Sequence, residues 1–438
     1  MMTFKEENNI LFNKFLEDYF YKDFKNCVKE LELIISPKCN LKCKYCYLNK
    51  YYGKVFPEDT FNEEHILENL DKIFNWIEEN DFYIHLDLFS GDLLAQKIGY
   101  QILENILNFQ KRTNRVPIVT IPTNYTFISS DYYTEKVQYL IDEFNKSNSK
   151  LLLSASFDGK YMDENRPYKH NLDIEFNHEY TDEYYDKIFK FNKKNNFGFH
   201  PMIYSLGIEN WKKNFLWFQD MFKKHDITWN DMYLLQVRNM EWNDNQIEKF
   251  KEFIYFLCEW CFNKFDNDKN TFCKKLVTTN DLFNILSQPF STIPRGVSCS
   301  IQTSLSVKLN DLTVYPCHRL MYPELKIGQF VNGEDNKLTF DTENASLGLT
   351  IYGCNTKHFP SCYDCPITEL CCGGCLGAQY EVFDSMFIPI NSVCKVNFAL
   401  IETILKFVID KNMYDLFITY IEKDSVRYQQ ITELKELL

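Results

Sequence analysis

The chain has little that would carry it into a membrane or onto a polyanion. It contains no long uncharged apolar run, so no membrane-spanning helix is expected. Its opening residues, Met1-Met2-Thr3-Phe4-Lys5-Glu6-Glu7, are polar and acidic, unlike a secretory signal, and a cytoplasmic location is expected. Positive charge is in deficit: 48 Lys and Arg face 61 Asp and Glu, a net −13. Phosphate backbones demand the opposite balance, so no nucleic-acid partner is expected. Low-complexity tracts and internal repeats are absent as well, which sets disordered and solenoid architectures aside.

What remains is an ordinary globular composition, 45% hydrophobic and 25% charged, over 438 residues, enough for two or three domains. Against it stand 16 cysteines. Disulfide frameworks belong to small secreted domains, so clustered thiols in a large chain without an export signal are better taken as metal ligands. Cys39, Cys43 and Cys46 form a C-x3-C-x2-C loop directly after an apolar run at 31–36. Three thiolates on one short loop can hold three irons of a 4Fe–4S cube and leave the fourth open for chemistry. Cys362, Cys365, Cys371 and Cys375 form a second array, C-x2-C-x5-C-x3-C. Zinc is the rival there, since C-x2-C pairs serve it well. The unequal spacing of the second pair favours iron–sulfur. Cys258 and Cys261 also make a C-x2-C pair, but among Ile254, Phe256, Leu257 and Trp260 they are expected to be core.

Short β-like runs at 31–36, 82–90, 116–122, 151–157, 198–205 and 231–237 alternate with amphipathic segments at 63–79, 96–112, 133–144, 182–193 and 210–224. Six strand–helix units predict an α/β fold, a partial (β/α)6 TIM-like barrel. A long helix at 245–265 leads out of it; beyond Pro294 come short β-like runs, turns and dense cysteine, and 397–438 turns helical again. The expected division is an N-terminal extension (1–30), barrel (31–240), helical linker (241–294), small cysteine-rich domain (295–400) and C-terminal helices (401–438). The polar motifs fall where such sheets bind ligands, at strand C-terminal ends: the cysteine loop, Ser90-Gly91-Asp92, Thr123-Asn124 and Ser156-Phe157-Asp158-Gly159.

At these residues the chain resembles the radical SAM superfamily with a C-terminal SPASM domain, of the peptide and protein maturase type, over roughly residues 31–400. The resemblance implies that Cys39, Cys43 and Cys46 hold a cluster whose open iron is chelated by S-adenosylmethionine, yielding a 5′-deoxyadenosyl radical that abstracts hydrogen from substrate. The cofactor carries the hard step and the protein contains it. Tyr45 matches the family aromatic that packs on adenine. Ser90-Gly91-Asp92-Leu93 stands where the family has Gly-Gly-Glu-Pro, so Ser90, Gly91 and Asp92 would receive the cofactor's ammonium, with Asp shorter than the usual Glu. Thr123-Asn124-Tyr125 resembles Thr-Asn-Gly, with Tyr in place of Gly. Ser156, Asp158 and Arg166 match the Ser-x-Asp-Gly and downstream arginine pattern, in which a guanidinium can pair with the methionine carboxylate. Arg238 is a further candidate for cofactor or substrate, or for a structural salt bridge.

In the C-terminal part the resemblance implies two auxiliary clusters, three in all. Cys362, Cys365, Cys371 and Cys394 would close one; Cys299, Cys317 and Cys375 would hold the other, in a turn whose family glycine is Leu312. Position 305, where some relatives have a further cysteine, is Leu305. The nearer cluster then either keeps an open iron for substrate or is completed by Cys354, Cys372 or Cys273.

The expected activity is oxidative modification of a peptide, a thioether or other cross-link. Formylglycine formation in a sulfatase is the alternative, and an iron–sulfur electron carrier or sensor is the alternative outside catalysis. A flavodoxin- or ferredoxin-like donor is an expected partner. Only about 30 residues precede the first strand, too few for a leader-recognition domain. The expectation is either recognition of a peptide leader elsewhere, as by a separate leader-recognition protein, or a substrate that is a folded protein or a small molecule. No general acid or base stands out.

Overall fold

The computed structural model describes residues 3–16, 29–48, 61–176, 178–278, 282–291, 304–333, 337–353, 359–371 and 374–438. Two compact units emerge. The first comprises Met1–Ser156, Pro167–Ile188 and Cys299–Gly353; the second comprises Phe157–Arg166, Phe189–Ser298 and Cys354–Leu438. In chain order the described strands are β1 (Lys29–Ser36), β2 (Ile84–Ser90), β3 (Ile118–Thr123), β4 (Lys150–Ala155), β5 (Met202–Ile203), β6 (Leu235–Gln236), β7 (Ser304–Lys308), β8 (Thr313–Tyr315), β9 (Gly328–Asn332) and β10 (Leu338–Thr342).

The first unit is built on one sheet in the order β10-β9-β8-β7-β1-β2-β3-β4. β1 to β4 are parallel neighbours, with Leu31 opposite Leu86, Leu86 opposite Val119 and Val119 opposite Leu151. Parallel neighbours need a crossover, and helices supply it. Glu63–Glu79 links β1 to β2, started by Asn62, whose side chain accepts from the Glu64 N–H, and buried along Ile66, Leu70, Ile73 and Ile77. Lys97–Thr113 and Asp131–Lys146 make the next two crossovers.

Alternation along β2 separates two faces. Ile84, Leu86, Leu88 and Ser90 are buried, whereas His85, Asp87 and Phe89 are only partly so. On the other side of β1, β7 adds in parallel, with Leu31 opposite Leu305, and β8, β9 and β10 continue as an antiparallel meander. The runs beyond Pro294 are therefore strands of the same sheet as the cysteine-loop strand, a pairing that local pattern does not specify.

The second unit holds the parallel pair β5–β6 and most of the remaining helices. These strands occupy the expected 198–205 and 231–237 runs, but the regular ladder is two residues long. Pro201 is the reason: it has no N–H to donate, and the bridge Phe199–Met232 is left isolated on its far side. Phe189, Phe199, Phe218 and Phe222 pack there, with the first two rings 4.6 Å apart. Helix Asp244–Lys264 carries Cys258 and Cys261 fully buried in the core. No described helix is long and apolar enough to cross a membrane.

Candidate functional site

The loop after β1 is fixed from both sides within the first unit. Leu41 bridges antiparallel to Tyr168, the Lys42 N–H donates to Pro167 O at 2.9 Å, and the Lys169 N–H donates to Asn40 O at 2.8 Å. Asn40 itself is completely buried. Its Nδ2 donates to Thr126 Oγ1 at 2.8 Å, and its Oδ1 accepts from Asn124 Nδ2 at 2.8 Å. Asn124 Nδ2 also lies 3.8 Å from Cys39 Sγ.

Gly91 makes the approach of β2 to this loop possible. Its N–H donates to Ser36 O at 2.8 Å, and a Cβ there would stand 2.3 Å from Lys38 O. Ser90 Oγ donates to Ser36 O at 2.6 Å. Asp92 follows with 1% exposure. Its carboxylate accepts from the Leu94 N–H at 3.0 Å, Thr123 Oγ1 at 3.1 Å and the Asn124 N–H at 2.6 Å. Burial outweighs these donors and pushes the carboxyl up to about 6. Ser90, Gly91, Asp92, Thr123, Asn124 and the loop with Cys39 are thus gathered at the C-terminal ends of β1, β2 and β3. Tyr45 lies in the turn of that loop, half-buried. Tyr125, where the resemblance expects glycine, is fully buried and keeps a left-handed backbone at φ +66°.

The three loop thiols suit a shared cationic centre. Cys39, Cys43 and Cys46 are each partly buried, and none of the described cysteines is in a disulfide. Burial, then the charges of Asp92 and Cys43, then that of Cys46, holds the Cys39 thiol well above its usual range. Ionised together, these thiols would repel one another, and a metal centre would compensate that charge. A cleft of about 270 Å³ opens beside Cys39, lined by Lys38, Gln96, Lys169 and Asp173 among others.

Ser156 belongs to the first unit, its N–H donating to Thr123 O at 2.9 Å. Asp158 and Arg166 belong to the second and pair there at 3.6 Å, 1% and 7% exposed in their side chains. Asp158 also accepts from the Met202 N–H at 2.9 Å. Gly159 follows at φ +101°, where a Cβ would meet the Asn214 amide at 2.6 Å.

The second unit brings Cys362, Cys365, Cys371 and Cys394 onto the walls of one cavity of about 480 Å³. Burial, then Cys365 and Cys394, pushes the Cys362 thiol up to about 11. Among the described residues no three His, Cys, Asp or Glu side chains close on a single point. Four thiols on one cavity wall are the donor type that an iron–sulfur cluster takes. Cys375 starts the helix Leu376–Phe383, its Sγ accepting from the Ala378 N–H at 3.5 Å. Cys317 lies in the first unit, just past β8. Cys299, Cys354 and Cys372 lie outside the described residues. Cys273 is buried, with its thiol 3.9 Å from Met413 O.

Sequence reasoning missed a polar group on the first unit's sheet. Glu32, 5% exposed, accepts from the His318 N–H at 3.0 Å, from the Ser306 hydroxyl and from the His318 ring. Burial would raise its carboxyl, but the His318 ring and the hydrogen bonds outweigh it and hold it below the usual range. The His318 ring stacks on Phe89 at 4.0 Å. Opposite Glu32, burial and then the Glu32 charge push Asp87 up to about 7. The alternating Glu30 and Glu32 were the available sign.

A parallel α/β sheet with a three-cysteine loop after its first strand, and a cavity lined by four cysteines in the second unit, are the features on which a resemblance to radical SAM proteins with a SPASM region rests. No family model matches the chain. It is 24% identical over 378 residues to the cysteine-type anaerobic sulfatase-maturating enzyme of Clostridium novyi (strain NT), covering 80% of this chain and 88% of that protein. It is 25% identical over 128 residues to the radical SAM cyclopropyl synthase TigE of Paramaledivibacter caminithermalis, covering 27% of this chain and 25% of that one. Among solved structures, the histidine-tagged anSMEcpe with bound AdoMet shares the fold at a TM-score of 0.55 and 19% identity, over 87% of this chain and 99% of that chain. The chain is a homologue of the radical SAM/SPASM maturases.

Proposed function

We propose that the chain is a radical SAM maturase that oxidises side chains of a peptide, forming a thioether or other cross-link. One observation carries the oxidative part: four thiols line a single cavity in a unit other than the one bearing the Cys39 loop. When bound, a cluster on Cys39, Cys43 and Cys46 supplies with S-adenosylmethionine a 5′-deoxyadenosyl radical, and one on Cys362, Cys365, Cys371 and Cys394 supplies an electron sink for the substrate. A third cluster on Cys299, Cys317 and Cys375 belongs to the same proposal.

The chain's own residues hold and orient. Asn40 and Asn124 fix the Cys39 loop against the end of β3, and Asp92 clamps that end to β2. Gly91 keeps the space at the loop backbone clear. Arg166, if released from Asp158, has the planar fork that suits a carboxylate. A flavodoxin- or ferredoxin-like donor, a separate leader-recognition protein and a cytoplasmic setting complete the proposal.

Formylglycine formation on a protein is the second reading, favoured by the extent of the match to the sulfatase-maturating enzyme. The test is anaerobic: reconstituted protein, dithionite and S-adenosylmethionine, with 5′-deoxyadenosine measured by mass spectrometry. Product above background that Cys43→Ala abolishes is expected. Its absence defeats the enzyme reading and favours an electron carrier. Added cysteine-bearing sulfatase peptides then separate the two enzymes: a mass loss with an aldehyde supports formylglycine, and a loss of two hydrogens without one supports a cross-link.

A further inference from the structure

Cys371 has a partner that the cysteine pattern does not mention. Asn397, on the helix Asn391–Asp410, donates its Nδ2–H to Cys371 Sγ at 3.1 Å. It lies three residues after Cys394, on the same helix face, and both line the 480 Å³ cavity. Asn397 and Cys371 also line a second cavity, of about 40 Å³, together with Gln236, Arg238 and Gln288. That volume suits a few waters at most. These two side chains are therefore common to the thiol-lined cavity and to the small one at β6, whose walls mix Gln236, Arg238 and Gln288 with Leu234, Ile285 and Leu400.

We propose that Asn397 is a positioning residue for the four-cysteine centre: its amide holds Cys371 and sets that centre's reduction potential. The proposal rests on the cluster reading above. The physical reason is general. A donor to a ligating sulfur draws electron density from it and favours the reduced, more negative state, so hydrogen bonds to sulfur raise cluster potentials. A neutral amide does this without adding charge to a half-buried site. A carboxylate there would do the opposite, and an aliphatic side chain would do nothing.

The experiment uses full-length protein, reconstituted anaerobically, with iron and sulfide counted and redox titration followed by electron paramagnetic resonance. Cys362→Ala identifies the centre's own signal. If Cys362→Ala removes neither iron nor signal, the cluster reading itself fails. With that signal in hand, Asn397→Leu and Asn397→Asp should keep their iron and shift the midpoint to more negative potential, Asp further than Leu. Asn397→Gln, which keeps an amide, should restore part of the shift. An unchanged midpoint in Asn397→Leu and Asn397→Asp overturns the proposal. Loss of that centre's iron in both, with retention in Asn397→Gln, supports it through the holding role. Loss in all three overturns it in favour of simple packing.

Discussion

Asp92 Oδ2 accepts the Asn124 N–H at 2.6 Å, so the carboxylate after β2 clamps the turn after β3. Asn124 in turn donates to Asn40 at 2.8 Å, and Asn40 sits beside Cys39 in the loop after β1. Two hydrogen bonds thus tie three successive loops into one platform. The acid that the family resemblance assigns to cofactor binding is, in this chain, satisfied by three donors of its own unit.

Asp92→Ala should therefore behave as a structural lesion before a cofactor lesion. It leaves the Leu94 and Asn124 N–H groups and the Thr123 hydroxyl without their acceptor, in a site with 1% exposure. A cost of about 3 kcal/mol follows from unmet buried donors. Asp92→Glu restores the usual acid but adds a methylene to a filled space, costing about 1–3 kcal/mol. Urea midpoints of apo-protein measure both. A wild-type midpoint in Asp92→Ala would remove the clamp.

Asp87 predicts a pH dependence. Burial, then Glu32, lifts its carboxyl to about 7, above the ordinary unfolded value. A raised acid contributes stability fully below the unfolded pKa and loses it as pH rises through the folded one. Asp87's own contribution to stability should thus fall by about 2 kcal/mol between about pH 5.5 and 8.5. Asp87→Asn should gain that much more over wild type at the higher pH. Parallel stability–pH curves for the two proteins would place the titration elsewhere.

Local pattern made some of this legible and non-local pairing hid the rest. The helix Glu63–Glu79 has the predicted bounds because an Asn cap, two first-turn acids and a 3.6-residue apolar stripe agree. The Cys39 loop and three of the cavity's thiols, Cys362, Cys365 and Cys371, stood out by spacing; Cys375 of the same array does not line the cavity, and Cys394, which does, came only with the family resemblance. β7 joining β1 was not, since nothing in Ser304–Lys308 names its partner. The short ladder at Met202–Ile203 turns on one proline. Asn397 gave no sign, because its thiol partner is 26 residues away and on another element.

Gly91→Ala tests the closest backbone approach. A Cβ would stand 2.3 Å from Lys38 O and 2.4 Å from Pro37 O, both backbone atoms that cannot rotate away. The cysteine loop or the end of β2 must move, so the variant should lose the iron of one cluster, about four atoms per chain. Iron at the wild-type level, with unchanged 5′-deoxyadenosine formation, would show that the loop tolerates the shift.

Tyr125→Gly sets two effects against each other. Glycine takes the left-handed conformation freely, which relieves about 1 kcal/mol at φ +66°. It also removes a fully buried ring that packs on Phe127 at 5.4 Å. Deleting a large buried aromatic costs about 3–5 kcal/mol, and glycine adds unfolded-state entropy. The loss should win, leaving the variant about 2–4 kcal/mol less stable by denaturant unfolding. The packed ring then explains how this chain keeps a non-glycine residue in a left-handed turn beside its cysteine loop. A variant more stable than wild type would mean that backbone strain, and not ring burial, governs the turn.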